Sequence, residues 1–183
     1  DLWERVGKDL PKTNRKNLDI TTWTPPAELE GALFSLYESY QHSFAHWRED
    51  LEALGEPPPV FIVVCPNTAV SKLVYDWIAG AEKPFDDGTA KHVPGKLDLF
   101  DNAPGGHRLA RPRTILIDSA QLESGEGLSK EFKASAASEI DTFKAAWRLR
   151  NPGGDIESIT DEDLMREVMN TVGKPDSLGS DVR

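Results

Sequence analysis

From residue 33 onward, apolar side chains return at alternating spacings of four and three: Leu33, Tyr37, Tyr40, Phe44, Trp47, Leu51 and Leu54. A seam of that period predicts one long amphipathic helix over about 27–54. Thr24, Pro25 and Pro26 mark its start, because a hydroxyl can cap and proline suits a first turn that has no use for its N–H. Gly55 marks its stop. The seam can pack on the chain's own core or offer a coiled-coil surface, and about three heptads is short for the second use.

After three prolines at 57–59 the pattern changes. Val60, Phe61, Ile62, Val63, Val64 and Cys65 are apolar at every position, which predicts a strand covered on both faces, as in a parallel sheet. Pro66 and Asn67 break it. Val70, Leu73, Val74, Trp77 and Ile78 then recur at helical spacing, and Gly80 ends that helix. Residues 81–113 are rich in Gly, Pro and Asp and read as an insertion, with a short strand at 96–100. A second buried strand is predicted at 114–118, followed by a loop over 119–127. A helix over about 129–149 carries Phe132, Ala136, Ile140, Phe143 and Trp147, and residues 151–154 stop it. A last helix opens at Thr160 with Asp163 three residues on, close to a capping box. It buries Leu164, Met165, Val168, Met169 and Val172 and ends at Gly173.

This order predicts an α/β chain in two parts. Residues 1–56 form an arm and the long helix. Residues 57–183 form a partial parallel-sheet lobe with an insertion at about 81–113. Two core strands are few for such a sheet, which reads as unfinished. An uncovered strand edge of that kind invites self-association.

Composition narrows the functional classes. The 183 residues carry 31 acidic and 21 basic side chains, a net charge of −10, which argues against nucleic-acid binding by the whole surface but leaves room for a small phosphate-binding edge. Residues 1–23, partly basic through Lys8, Lys12, Arg15 and Lys16, read as an arm lying on something larger. The start at Asp1, in mid-pattern, suggests an excised piece. Cys65 is the single cysteine, so an internal disulfide and a multi-cysteine zinc site are excluded and a reducing cytoplasm fits. No apolar run is long enough to span a bilayer.

In open parallel sheets, ligands sit beyond the carboxyl ends of the strands. Those ends carry Asn67, Thr68 and Ser71, and then Ser119, Gln121 and Glu123. A helix beginning near Thr68 would aim free N–H groups and its positive end at a phosphate; ordinary capping by Asn67 or Thr68, which needs no ligand, is the reading that spacing alone favours. Catalytic motifs are missing: there is no Gly-rich phosphate loop ending in Lys, no dinucleotide fingerprint and no nucleophile elbow. His42 and His46 have the spacing of a metal pair but lie off the apolar seam and read as solvated. His92 and His107 read as loop residues, and Cys65 as a buried thiol with no base nearby. Asp118, Glu131 and Lys133 only caricature a nuclease triad, since the last two fall on a helix and face apart.

Three stretches, PPVFIVVCPNTAVSKLVYDWI at 58–78, RPRTILIDSAQLESGE at 111–126 and DEDLMREVMNTVGK at 161–174, resemble the helicase-type restriction subunit of type III restriction enzymes. LWERVGKDLP at 2–11 resembles the same family. That resemblance implies a superfamily-two, ATP-dependent translocase acting on double-stranded DNA together with a modification subunit. It also implies that this chain enters the second RecA-like lobe, while ATP and Mg are held by a first RecA-like lobe and cleavage is done by a nuclease domain, both elsewhere in the parent. The chain alone would then bind no cofactor and carry no catalytic residue. By resemblance Asn67, Thr68 and Ser71, with Ser119 and Gln121 on the neighbouring loop, would touch DNA phosphates. Pro66 departs from the polar residue that such a loop would carry. The rival reading is a self-contained α/β protein-interaction module docking through residues 27–54. A small nucleotide-binding domain is disfavoured by the missing Gly-rich loop.

Overall fold

Helix α1 (Ala27–His46) forms where the apolar seam demands it, and buries Leu33, Tyr37, Tyr40 and Phe44. The computed structural model describes residues 23–84, 88–117, 128 and 130–183, together with 4, 7 and 9–11. No side chain caps α1; the Glu30 N–H donates to the Pro26 carbonyl at 2.9 Å, and Glu28 and Glu30 sit where the helix dipole favours acids. Beyond His46 the helix widens into a π-helical turn, Trp47–Leu51, then tightens into a 3₁₀ turn, Glu52–Leu54, stopped by Gly55 in the left-handed conformation. The widened turn rotates the later seam positions off the buried face. Leu54 is accordingly 74% exposed.

Helix α2 (Thr68–Ala79) buries all five positions that its period selects, Val70, Leu73, Val74, Trp77 and Ile78. Most of them pack with α1, Leu97 and Phe100 in one cluster. The carbonyls at the far end of α2 are satisfied by the loop that returns over it: Lys96 N–H donates to Trp77 at 2.9 Å and Asn102 N–H to Ala79 at 2.8 Å. Gly95 lies so close beneath this end that a Cβ there would overlap the Ile78 carbonyl. The insertion is a hairpin. Strands β1 (Ala81–Pro84) and β2 (Ala90–Val93) pair antiparallel with Ala81 opposite Val93, and 96–100 holds a 3₁₀ turn, Asp98–Phe100, in place of the expected strand.

The second cluster is helical. The single helix expected over 129–149 is broken at the fully buried Ala136 into α3 (Lys130–Ser135) and α4 (Ala137–Arg150). Helix α5 (Asp161–Asn170) opens with the capping box formed by Thr160 and Asp163. Leu128, Phe132, Ile140, Leu164, Met165 and Val168 form its core, and the tail returns Leu178 and Val182 to it.

The partial parallel-sheet, RecA-like lobe is not what this chain forms. The structure is mainly helical, and its two-stranded antiparallel hairpin is the only sheet among the described residues. The two predicted core strands explain the discrepancy. Residues 60–65 and 115–117 lie outside any strand, and among the described residues no backbone hydrogen bond reaches either. A continuous apolar run signals that a segment can be buried on both faces, but a strand exists only once a neighbour supplies the ladder. Here Ile62 is 78% and Val64 82% exposed, so the burial that the run predicted is not reached.

Candidate functional site

The residues singled out at the first predicted strand end come together at the amino end of α2. Asn67 is the N-cap: its side-chain oxygen accepts from the Val70 N–H at 2.9 Å, and its amide nitrogen donates to the Pro11 carbonyl at 3.0 Å. Both of its polar atoms are therefore engaged within the chain. Thr68 is the first helical residue. Ser71, one turn on, donates its hydroxyl to the Thr68 carbonyl at 3.0 Å. Capping, the plainer alternative in the sequence, is thus what Asn67 does. Ser119, Gln121 and Glu123, and with them Asp118, lie outside the described residues.

Asn67, Thr68 and Ser71 open onto a groove of about 740 Å³. Residues 60–65 form one wall and 114–117 the other; Val74, Ile78 and Phe100 line it as well, and Val182 and Arg183 also border it. Phe61 pins the first wall to the α1 cluster by stacking on Phe100, with ring centroids 5.1 Å apart. Tyr40 supports the same wall, donating its hydroxyl to the Pro59 carbonyl at 3.0 Å. The second wall hangs from Asn102. Its side-chain oxygen accepts from the Arg113 N–H at 2.7 Å and the Thr114 N–H at 3.1 Å. Its amide nitrogen donates to the Thr114 carbonyl at 2.8 Å and to the Tyr75 hydroxyl at 3.1 Å.

Burial shifts the titratable groups near the groove. Burial pushes the Cys65 thiol up, so it stays protonated and unreactive. Burial likewise raises Tyr75, outweighing the Asn102 hydrogen bond, and pushes Tyr40 up to about 12. Arg183 lies over the Phe44 ring, 4.8 Å from its centroid; burial, and then Arg113, lower its pKa. Among the described residues no group of three or more His, Cys, Asp or Glu side chains could hold a metal. His46 pairs with Asp50 at 2.8 Å on the surface, and His42 is exposed, as a solvated pair should be. Lys133 pairs with Asp161 at 2.6 Å; Asp118 and the Glu131 side chain lie outside what the structure describes.

Two residues that shape the groove, Asn102 by holding its second wall and Arg183 at its border, escaped the sequence reading. Asn102 had a signal: it follows an acid just after the apolar pair Leu99 and Phe100, where side chains of this type often bind nearby backbone. Arg183 had none.

No family model, curated protein or solved structure matches the chain. No helix among the described residues is long and apolar enough to cross a membrane.

Proposed function

We propose that the chain is a portion of the ATP-dependent, DNA-translocating restriction subunit of a cytoplasmic type III system, and that it contributes phosphate contacts from the start of α2. The reading rests on the order of the resembling segments and on one edge of the molecule; it does not need a RecA-like architecture for this portion. The observation that carries it is the convergence of Thr68, Ser71 and the capped amino end of α2 on one rim of the groove that Arg183 also borders. A helix start with hydroxyl groups beside it favours an anion, and such contacts hold a DNA backbone without reading its sequence. Asn67 acts here by fixing the helix end. Ser119 and Gln121 join the proposal through the resemblance alone. ATP and Mg belong to other parts of the parent, as do the nuclease domain and the contact with the modification subunit. This portion turns over no ATP by itself.

The rival, a module docking through residues 27–54, is weakened because Leu33, Tyr37, Tyr40 and Phe44 are already buried against α2 and Phe100.

The test is the pair Thr68→Asp and Ser71→Asp in the intact parent enzyme. Acids in a first turn stabilise a helix by about 0.3–1 kcal/mol each, so the fold should hold or gain. Losing charge-assisted contacts worth about 1.5–3 kcal/mol should cut DNA affinity, and DNA-stimulated ATP turnover with it, about tenfold or more. Unchanged DNA affinity in a folded double variant would end the proposal.

A further inference from the structure

At the groove an apolar lining meets positive charge. Its walls present Val60, Ile62, Val64, Ile115, Leu116 and Ile117, and Ile62 and Val64 are largely exposed. The walls themselves are uncharged: residues 57–71 contain no Asp, Glu, Lys, Arg or His, and neither do residues 114–117. A contiguous apolar lining left open to water marks a binding groove. Its volume of about 740 Å³ falls within the range of about 300–1,000 Å³ usual for sites that hold one small molecule.

One border of this lining is cationic. Arg183 borders the groove, with its guanidinium carbon 4.8 Å from the Phe44 ring centroid. Its backbone N–H donates to the Arg113 carbonyl at 2.9 Å, which holds the two arginines side by side. Arg48 follows Phe44 on the same helical run. Burial lowers the Arg183 pKa most, then repulsion from Arg113 and, more weakly, from Arg48; Tyr40 and Asp181 offset part of this. Asp181 is already held by Arg111 at 3.2 Å. Arg113 donates a side-chain N–H to the Asp98 carbonyl at 3.2 Å, but no ion pair of the described residues uses Arg48, Arg113 or Arg183. Cations gathered without a matching acid, in a chain of net charge −10, focus attraction for an anion.

We infer that the groove binds a free long-chain carboxylate, with its alkyl chain along residues 60–65 and 114–117 and its carboxylate at Arg183, drawn there also by Arg113 and Arg48. A guanidinium is planar and can fork two N–H groups onto a carboxylate. The charges alone would hold any small anion and the walls alone any apolar body; an amphiphilic anion satisfies both. This inference is independent of the DNA-contact proposal, since the groove can hold such a ligand whether or not α2 meets phosphate.

The experiment titrates dodecanoate, below its micellar concentration, into the full 183-residue chain and follows binding by calorimetry. Dodecanol, dodecyltrimethylammonium, dodecyl phosphate and octanoate are the comparisons. Dodecanoate should bind at least about tenfold tighter than dodecanol or dodecyltrimethylammonium, as charge-assisted hydrogen bonds require. Octanoate should bind about a hundredfold more weakly, because each buried methylene contributes about fourfold. Arg183→Gln with Arg113→Gln should erase the preference over dodecanol while dodecanol binding stays. Of the two methionines, Met169 lines the groove and Met165 is buried in the second cluster, so methyl NMR should show the Met169 signal shifting and the Met165 signal fixed. Dodecanol binding as tightly as dodecanoate would overturn the inference, and so would octanoate doing so. Tighter binding of dodecyl phosphate would replace the carboxylate with a phosphate and reject it. Binding that leaves Met169 unmoved would place the ligand elsewhere, and a chain that sediments as a dimer and takes no amphiphile would make a second copy the occupant. If the double variant does not fold, the comparisons on the unaltered chain still decide. DNA affinity plays no part in these readouts, so failure here leaves the α2 proposal standing.

Discussion

Asn102 does more for the groove than any residue lining it. Four hydrogen bonds radiate from its side chain: two from the Arg113 and Thr114 N–H groups, one to the Thr114 carbonyl and one to Tyr75. Removing such a hub leaves part-buried donors and acceptors unpaired, at about 1–3 kcal/mol each where water cannot reach them. Asn102→Ala should therefore cost about 2–4 kcal/mol in urea unfolding. Asn102→Asp, which keeps the acceptor but not the donor, should fall between it and the parent. A loss below about 0.5 kcal/mol for the alanine variant would mean that water replaces the side chain freely. The same residue shows how far the site was legible. Asn67, Thr68 and Ser71 could be placed at a helix start because capping is local chemistry, written in neighbouring residues. Asn102 acts on Tyr75, Arg113 and Thr114, partners 11 to 27 positions away; its local setting signals a backbone contact but names none of these partners.

Helix α5 shows what a well-written stretch of sequence specifies. Thr160 accepts from the Asp163 N–H at 3.2 Å, and the Asp163 carboxylate accepts from the Thr160 N–H at 2.9 Å and from its hydroxyl at 2.8 Å. The Thr160 backbone and then its hydroxyl hold the Asp163 carboxyl below its ordinary pKa of 3.8. A carboxyl whose folded pKa is depressed lends stability in full above that ordinary value and loses it as pH falls below it. The first turn of α5 should thus be protected from amide exchange at pH 7 and fray from about pH 4 downward. Asp163→Asn should flatten that dependence, and fraying that is identical in both proteins would assign it to another group. Helices were legible throughout for this reason: period and caps are local. The exceptions were the π-helical turn at Trp47–Leu51 and the break at Ala136, neither of which disturbs the apolar pattern. The hairpin was missed although Asp87 and Gly88, a common hairpin-turn pair, stand between its strands. Its strands carry charged residues at Glu82, Lys83 and Lys91, so no apolar alternation marked them. The two apolar runs misled in the opposite sense, because pairing is a property of neighbours and neither run has a paired one among the described residues.

Two apolar clusters, one around α1 and α2 and one around α3, α4 and α5, share one chain, and few polar groups join them. Arg111 is the central tie. It leaves the loop beyond the hairpin and bonds Glu139 on α4 at 2.6 Å and Asp181 in the tail at 3.2 Å; its Nε is buried without a partner among the described residues. Nearby, Arg183 binds the Arg113 carbonyl, and Gly173 packs beneath Pro58. The Arg111 side chain is only 25% exposed, so its pairs fall between surface ones, worth about 0–1 kcal/mol, and buried ones, whose breaking costs about 3–5 kcal/mol. Arg111→Ala should cost about 1–3 kcal/mol and leave two carboxylates facing each other in an already acidic chain. Because the lost contacts lie between the clusters, the cost should not be uniform. Amide exchange in α4 and α5 should quicken more than in α2, whose core of Val70, Leu73, Val74 and Trp77 is untouched. Arg111→Lys should recover only part of the loss, since an ammonium lacks the guanidinium's rigid planar fork of donors. If α2, α4 and α5 all quickened by the same factor, the clusters would be a single cooperative unit and Arg111 an ordinary stabilising residue within it.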